Sequence, residues 1–255
     1  GTQCLPLYWY ERPMAQLTKS ITDDEHDKSG TSVDDDGYIR HDGITDDALA
    51  EFQSHYADDS ITKEDIFFYV YGVLHSPDYR NRYAADLKKE LPRVPFATAF
   101  REFSTAGRDL AYWHLNYDSV DPYPLTEQSD TLNLDPEEHY RVKKMYWGGK
   151  SSNQNKSEIV VNDHVRLTGI PNEVHEYEIN GKTPLDWILD QYKVSRNKTT
   201  GIVNDPNEFS DDPRYIVDLI KKVTRVSVET IRIVRNLPSL DAETTDTQKS
   251  SETMV

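Results

Sequence analysis

A short segment in the middle of the chain combines the side chains that proteins use to hold and read DNA. Residues Lys143–Lys156, with the sequence KKMYWGGKSSNQNK, carry basic, aromatic and amide side chains among flexible Gly and Ser residues. Lys can hold phosphates, while Asn and Gln can pair bidentately with adenine in the major groove. The segment predicts a hairpin loop whose DNA-contacting residues are Lys143, Lys144, Lys150, Asn153, Gln154 and Lys156. The alternative is a solvated, mobile loop.

A second basic segment lies further along the chain. Lys193–Lys198, with the sequence KVSRNK, leads into Thr199-Thr200-Gly201. Its Arg196 could read guanine through a bidentate contact or bind a phosphate. We therefore add Arg196 and Lys198 to the predicted DNA-binding residues.

The net charge of −16 is unusual for a DNA-binding domain, since such domains are commonly basic. The acidic excess is concentrated in residues Ile21–Asp65, which hold fifteen acidic and three basic residues. Residues Tyr140–Arg166 hold six basic and two acidic residues. A chain with this distribution can present a basic face while it is acidic overall. We expect the acidic segment to face away from DNA.

One short motif matches the text of a nuclease signature. Pro77-Asp78 followed by Asp86-Leu87-Lys88 fits the PD…(D/E)xK pattern, whose carboxylates must converge on a metal ion. All five residues fall in one predicted helix, where Asp78 and Asp86 would lie about 12 Å apart along the axis. This spacing does not favour a nuclease site.

Other enzymatic motifs are incomplete. Asn204-Asp205-Pro206-Asn207 lacks the second Pro and the aromatic residue of an adenine-methyltransferase tetrapeptide, and it predicts a turn. Gly149-Lys150-Ser151 copies the end of a P-loop without the surrounding strand, loop and helix. The eight His are scattered, without the spacing of a metal site. We therefore expect no catalytic, cofactor or metal site in this chain.

The first half of the chain carries helical patterns. Asp46–Tyr56 predicts a helix with acidic residues at its N-terminus, where they are favourable. Ile66–Leu74 predicts a buried helix that packs through Phe67, Tyr71 and Leu74. Phe96–Tyr117 predicts a further, aromatic-rich helix, and Asp118–Pro136 reads as a connection.

The helix with the clearest signals begins at Ser76-Pro77. Ser is a good N-cap, and Pro at the first helical position loses no hydrogen bond. We predict that this helix continues to about Glu90 and packs through Tyr79, Tyr83 and Leu87, which recur every four residues. Arg80 and Arg82 lie off this stripe, on solvated positions or facing DNA.

The second half contains short β-prone runs between turn signals. The predicted strands are Tyr140–Tyr146, Ser157–Val161, His164–Leu167 and Val174–Ile179. Turns are predicted at Gly148-Gly149, Asn162-Asp163, Gly169–Pro171 and Asn180-Gly181. Thr183–Tyr192 and Pro213–Arg235 predict helices, with Gly201–Asp212 as a loop. The predicted apolar stripe of the long last helix is Ile216, Leu219, Ile220, Val223, Ile231 and Val234.

These elements predict an α+β fold, with a helical N-terminal half followed by a small, mainly antiparallel sheet that is bracketed by helices, and a long C-terminal helix. The predicted divisions are the end of a preceding domain or linker (1–18), an acidic flexible segment (19–43), a recognition domain (44–240) and a disordered tail (241–255). Within the recognition domain we predict a helical part (44–135) and a β-rich part (136–240).

Composition limits the other classes of protein. The single Cys4 excludes an internal disulfide framework and a cysteine-rich zinc site. No apolar run approaches the length of a membrane span, so we expect no membrane partner. The abrupt, aromatic start at GTQCLPLYWYE leads us to expect a piece of a larger protein, and the absence of a signal peptide leads us to expect a cytoplasmic one.

Several long stretches, in order, resemble the C-terminal specificity domain of type ISP restriction–modification enzymes, which are single polypeptides. The resemblance covers most of the chain and rests on Cys4–Glu11, Tyr71–Phe96, Phe103–Asp118, Gly169–Val194, Gly201–Phe209 and Pro213–Leu240.

The resemblance implies a target-recognition domain that reads a short asymmetric site in double-stranded DNA. It implies neighbouring methyltransferase and motor domains in the same polypeptide, so that the parent would be a restriction endonuclease with adenine-N6 methyltransferase and ATP-dependent translocase activities. The parent would use S-adenosylmethionine, ATP and Mg²⁺. Because none of the corresponding motifs occurs in this chain, we expect it to have no enzymatic activity by itself.

Two other hypotheses remain. The chain could be an intramolecular coupling module that docks on the methyltransferase or motor and barely contacts DNA. The overall acidity and the apolar residues Leu5–Tyr10 favour this hypothesis. An independent hydrolase or nuclease is the third hypothesis, and the motifs favour it least.

Overall fold

The computed structural model describes residues 5–12, 37–89, 93–130 and 135–241. The chain divides into two compact units, one of residues 1–107 with 238–255 and one of residues 108–237. Cys4, most of the predicted acidic flexible segment and nearly all of the predicted tail lie outside the described residues. The domain divisions given above stay predictions. None of the described helices is long and apolar enough to cross a membrane.

The first unit is mainly helical. A two-stranded antiparallel ribbon consists of β1 (Tyr8–Glu11) and β2 (Ile39–Asp42). The helices are α1 (Asp46–Tyr56), α2 (Lys63–His75), α3 (Pro77–Arg82) and the first part of α4 (Phe100–Leu115).

Side-chain caps fix where the helices of the first unit begin. Thr45 accepts a hydrogen bond from the Ala48 amide at the start of α1. Thr62 and Asp65 form a reciprocal capping box at the start of α2. Ser76 accepts from the Tyr79 amide at 3.5 Å, which confirms the predicted cap of α3. Each cap satisfies an amide that has no partner within its own helix.

Tyrosine hydroxyls anchor the extended segment between α3 and α4. Tyr69 donates to the Pro95 carbonyl at 2.5 Å and accepts from the Ala97 amide at 2.7 Å. Tyr79 donates to the Arg93 carbonyl at 2.9 Å. Both tyrosine side chains are fully buried, so these bonds satisfy hydroxyl groups that would otherwise lack a partner in the core. The sequence predicted Tyr79 as a packing residue, and its hydroxyl adds this second role.

Helices α2 and α4 approach each other closely at two glycines. A Cβ atom on Gly72 would lie 2.3 Å from the Phe103 carbonyl oxygen. A Cβ atom on Gly107 would lie 1.8 Å from the Phe68 carbonyl oxygen. Both distances are far shorter than van der Waals contact, so only glycine allows the two helix backbones to lie this close.

Two predictions about this unit were wrong in detail. The α-helix that begins at Pro77 ends at Arg82, and the chain continues in turns, so Leu87 lies exposed instead of completing a stripe with Tyr79 and Tyr83. The four-residue repeat was therefore not evidence of a continuous helix. The most buried face of α2 consists of Ile66, Tyr69, Gly72 and Val73 instead of the predicted Phe67, Tyr71 and Leu74.

The second unit is built on a four-stranded antiparallel sheet with the order β3–β6–β5–β4. Its strands are β3 (Thr126–Ser129), β4 (Tyr146–Lys150), β5 (Asn153–Val160) and β6 (Val165–Thr168). A second ribbon pairs β7 (Ser195–Arg196) with β8 (Val203–Asn204). The helices of the unit are the end of α4, α5 (Pro136–Tyr140), α6 (Pro184–Gln191) and α7 (Tyr215–Arg235).

The core of the second unit lies between the sheet and its helices. Trp147, Ile159 and Leu167 face one another on adjacent strands and join the same buried cluster as Leu185 and Ile220. The long helix α7 also buries Thr224 and Ser227, whose hydroxyls donate to main-chain carbonyls one turn earlier at 2.7 and 2.8 Å. Local hydrogen bonding of this kind allows polar residues in a buried helix face.

An ion-pair network links the sheet to α7. Glu127 on β3 accepts from both terminal nitrogens of Arg214, at 3.1 and 2.9 Å, and from Lys221 Nζ at 2.7 Å. The Tyr140 hydroxyl also donates to Glu127 at 3.2 Å. Hydrogen bonds from Arg214 and Lys221 lower the pKa of Glu127 to about 2, although burial opposes that shift.

The predicted α+β fold and the long C-terminal helix are confirmed, while some β predictions were wrong. The predicted strand Val174–Ile179 overlaps the end of a 3₁₀ helix (Asn172–Glu176), because Pro171 favours a turn and Val174 alone is buried there. Tyr140–Tyr146 is the end of α5 followed by irregular chain, and Tyr146 begins β4. The predicted connection Asp118–Pro136 contains the edge strand β3, and the predicted loop Gly201–Asp212 contains β8.

Candidate nucleic-acid interface

The segment Lys143–Lys156 is a β-hairpin instead of the predicted hairpin loop. Its turn is limited to Ser151 and Ser152 between β4 and β5, and the predicted turn at Gly148-Gly149 lies inside β4. The strand register shifts between Trp147 and Gly148, where β5 carries extra residues. This strand pair carries four of the eight predicted DNA-binding residues, Lys150, Asn153, Gln154 and Lys156, while Lys143 and Lys144 lie just before β4.

The two predicted amide readers lie at the turn end of this hairpin. Asn153 pairs with Lys150 across the strands, and Gln154 pairs with Gly149. Both amides are exposed, and neither has a side-chain hydrogen bond within the described part of the chain. The neighbouring Asn155 differs, because it donates to Glu158 at 3.3 Å and accepts from the Ser157 hydroxyl at 2.7 Å. Asn153 and Gln154 are thus available to an external ligand.

A main-chain hydrogen bond joins the two predicted basic segments. The Val194 amide donates to the Lys143 carbonyl oxygen at 3.0 Å. This bond sets Lys143 and Lys144 beside the chain that enters the β7–β8 ribbon, where Arg196 and Lys198 lie. The sequence predicted both segments separately but gave no signal that they are neighbours. Lys193, which borders the bond, is an additional basic residue of the same region.

The cations of these segments differ from several others in the second unit. Arg141 pairs with Asp205, Arg166 with Glu158, and Arg235 with Glu176. By contrast, the described residues place no carboxylate within ion-pair distance of Lys143, Lys144, Lys150, Lys193, Arg196 or Lys198. We call these six residues the unpaired basic cluster. Because like charges repel, a polyanion would stabilise them.

Lys156 is the exception among the predicted lysines. Its Nζ lies 3.8 Å from Asp186 and 5.7 Å from the centre of the Trp147 ring. Asp186 also accepts from Trp147 Nε1 at 2.8 Å and caps α6 together with Thr183. Burial alone would raise the pKa of Asp186, but these hydrogen bonds lower it below the ordinary value. Lys156 therefore has a local structural partner before any ligand binds.

The motifs for enzymatic sites have no supporting geometry. Asp78 lies in α3, whereas Asp86 lies in the turns that follow, so the single helix predicted for the PD…(D/E)xK text was wrong. Neither carboxylate lies on a strand. Within residues 5–12, 37–89, 93–130 and 135–241, no three His, Cys, Asp or Glu side chains are grouped so that they could hold a metal ion. Asp205 caps a 3₁₀ turn at Pro206–Glu208.

A family model described as "Type ISP C-terminal specificity domain" matches residues 1–219. The chain belongs to this family, as the resemblance predicted. No curated protein matches the chain.

Solved structures show the same relationship. A nuclease-deletion mutant of the type ISP restriction–modification enzyme LlaGI, in complex with a DNA substrate mimic, is 36% identical over 80% of this chain, with a TM-score of 0.65. The ATP-dependent type ISP restriction–modification enzyme LlaBIII, bound to DNA, is 31% identical over 92%, with a TM-score of 0.73. The DrdV–DNA complex is 37% identical over 83%, with a TM-score of 0.70. The chain spans 14%, 13% and 21% of the lengths of these proteins.

Proposed function

We propose that this chain is the DNA target-recognition domain of a larger type ISP restriction–modification enzyme, and that it reads a short asymmetric site in a duplex. The observation that carries the proposal is the unpaired basic cluster, in which the Val194–Lys143 bond brings together Lys143, Lys144 and Lys193 from two distant segments. Family membership and the DNA-bound state of similar enzymes support it.

The cluster and the free amides suit two different tasks. Lys143, Lys144, Lys150, Arg196 and Lys198 would hold phosphates, which supplies affinity but little sequence information. Asn153 and Gln154 would contact base edges, which supplies specificity. Lys156 would contact DNA with a side chain that Asp186 and Trp147 already orient.

The parent enzyme is part of the same proposal. Neighbouring domains of the polypeptide would methylate adenine at N6 with S-adenosylmethionine, and would translocate and cleave DNA with ATP and Mg²⁺. This chain would contribute recognition and no catalysis. We place the enzyme in the cytoplasm, where it would meet DNA.

Replacing Lys143 and Lys144 with Ala should weaken binding to all duplexes. The logarithm of the binding constant falls with the logarithm of the salt concentration, and each phosphate contact adds about 0.9 to the steepness of this fall. The double variant should therefore show a fall that is less steep by about 2, and it should bind about tenfold more weakly near physiological salt. Fluorescence anisotropy over a salt series measures both quantities, on a random duplex and on one selected with the wild-type chain from randomised duplexes.

Lys88→Ala/Lys89→Ala is the matched control, because it removes an adjacent pair of exposed lysines outside the cluster. It changes the net charge equally and should leave binding within about twofold of wild type. Recognition is refuted if selection enriches no sequence. Equal losses in both double variants would show that net charge, and not the cluster, governs binding.

Replacing Gln154 with Ala should reduce specificity more than affinity. A bidentate base contact discriminates by about 1–3 kcal/mol, so the preference for the selected duplex over random duplex should fall about tenfold. Binding to random duplex should stay unchanged. Asn155→Ala is the control, because its amide is already engaged by Glu158 and Ser157. An unchanged preference in Gln154→Ala would remove this residue from the reading surface.

A coupling module that docks on a neighbouring domain is the second candidate. The observation that favours it is the exposed segment at and before β1, where Leu5, Trp9 and Tyr10 leave 72%, 47% and 55% of their surface accessible. Exposed apolar residues in one place often mark an interaction site. Hydrogen exchange on the parent enzyme distinguishes the two. Docking without recognition predicts protection at residues 5–12 and no protection by DNA at residues 143–156.

A further inference from the structure

The tip of the β7–β8 ribbon exposes two apolar side chains. Ile202 leaves 68% of its surface accessible and Val203 leaves 56%. Arg196 pairs with Val203 across the strands, so these two side chains share one face of the ribbon. Ile202 is the next residue towards the tip, where its carbonyl accepts from the main-chain amide of Asn197. Exposed β-branched residues at a ribbon tip add nothing to the core of the unit. Both side chains are therefore accessible to a ligand.

Hydrogen bonds of the Asn197 side chain and main chain hold the tip in one conformation. Asn197 accepts from the amides of Thr199 and Thr200 at 2.8 and 3.0 Å through its side chain. The main-chain amide of Asn197 donates to the Ile202 carbonyl oxygen at 2.9 Å, and the main-chain carbonyl oxygen of Asn197 accepts from the Gly201 amide at 2.9 Å. Gly201 has a φ of +72°, which favours glycine. Little conformational entropy is thus lost when Ile202 is buried in a complex.

The charge around the tip indicates the ligand. Residues 193–204 contain Lys193, Arg196 and Lys198 and no acidic residue. None of these three lies within ion-pair distance of a carboxylate among the described residues. A recess of about 480 Å³ on the ribbon is lined by Ser195, Arg196, Asn197, Thr200, Ile202 and Asn204. An apolar side chain beside polar groups and unpaired cations complements a nucleotide, which has an apolar face and an anionic backbone.

We propose that the β7–β8 ribbon enters duplex DNA, with Ile202 inserted as a wedge between two base pairs and Arg196 and Lys198 on the flanking phosphates. Apolar side chains that enter a base step unstack it and bend the duplex, and the bend brings more backbone onto the protein. The inference rests on the proposed function and adds a step to it, namely deformation of the recognised site by one identified residue.

The experiment uses the selected duplex with 2-aminopurine placed at each position in turn. This base analogue becomes brighter when it loses its stacking neighbour. Wild-type chain should brighten the probe at one step, and Ile202→Ala should abolish that signal and weaken binding to the selected duplex about tenfold, as the loss of a buried aliphatic side chain predicts. Ile202→Leu, which keeps an apolar side chain of similar size, should restore most of the signal.

The controls separate this inference from the proposed function. Leu115→Ala removes an apolar side chain that is 78% exposed elsewhere in the unit, and it should change neither signal nor affinity. Selective binding with no brightened position, or with brightening unaffected by Ile202→Ala, overturns the wedge and leaves target recognition intact. If Ile202→Ala changes only the binding of a neighbouring domain of the parent, the tip is a protein contact and the wedge is wrong. Absence of selective binding by the wild type refutes the proposed function itself.

Discussion

Replacing Gly107 with Ala should lower the free energy of unfolding by about 3 kcal/mol, because the new methyl group cannot be accommodated. Its Cβ would lie 1.8 Å from the Phe68 carbonyl oxygen and 2.7 Å from the carbonyl carbon. These atoms belong to the backbone of α2, so no side-chain rotation relieves the overlap and the helices must move apart. Urea unfolding, followed by circular dichroism, measures the loss.

The sign of this effect distinguishes packing from helix propensity. In an unpacked helix, Gly→Ala is stabilising by up to about 1 kcal/mol. Ala50→Gly, at an exposed position of α1, measures that propensity in the same protein and should cost about 1 kcal/mol. Gly72→Ala, whose Cβ would lie 2.3 Å from the Phe103 carbonyl oxygen, should behave like Gly107→Ala. A Gly107→Ala variant as stable as wild type would show that α2 and α4 do not approach at this point.

Replacing Glu127 with Gln should destabilise the protein by about 2 kcal/mol near neutral pH. The substitution leaves Arg214 and Lys221 without the carboxylate that they share, and removing one member of a partly buried ion pair costs more than an exposed pair is worth. Urea unfolding at neutral pH, compared with wild type, gives the difference. Glu137→Gln, at an exposed position of α5, is the matched control and should change stability little.

The same network predicts how stability depends on pH. Hydrogen bonds from Arg214 and Lys221 hold the pKa of Glu127 at about 2, below its ordinary value of 4.5. A lowered folded-state pKa contributes stability that is complete above the unfolded-state pKa and is lost as pH falls through the folded-state value. The advantage of wild type over Glu127→Gln should therefore be constant above about pH 5 and shrink towards about pH 2. A difference that stays constant over this range would contradict the network.

Local signals predicted the helices well where caps and periodicity agreed. The start of α3 at Ser76-Pro77, the bounds of α1 and the long helix α7 followed from residue types and spacing. Prediction from the sequence failed where contacts between distant residues determine the secondary structure. Strand β3 is short and polar, and it exists because β6 offers it a partner at the sheet edge. The end of α3 at Arg82 was missed because Tyr79 is positioned by its hydroxyl bond to Arg93 instead of by a longer helix.

The sequence predicted which residue types of the candidate site could contact DNA, but it did not predict how these residues are arranged in space. Basic and amide residues in two segments indicated DNA contacts, and these assignments stay predictions. That the segments touch depends on a main-chain bond between positions far apart in the sequence, for which side-chain types give no signal. The division of the amides into engaged Asn155 and free Gln154 likewise depends on where Glu158 and Ser157 lie.

The bond between Val194 and Lys143 has a consequence for how such a protein can change its target. It joins an amide to a carbonyl oxygen, and every residue other than proline can supply the amide while any residue can supply the carbonyl. Substitutions at the exposed positions around it can thus alter the chemistry offered to a ligand without altering how the segments are aligned. The alignment of the two segments can therefore be kept while the side chains that they expose change.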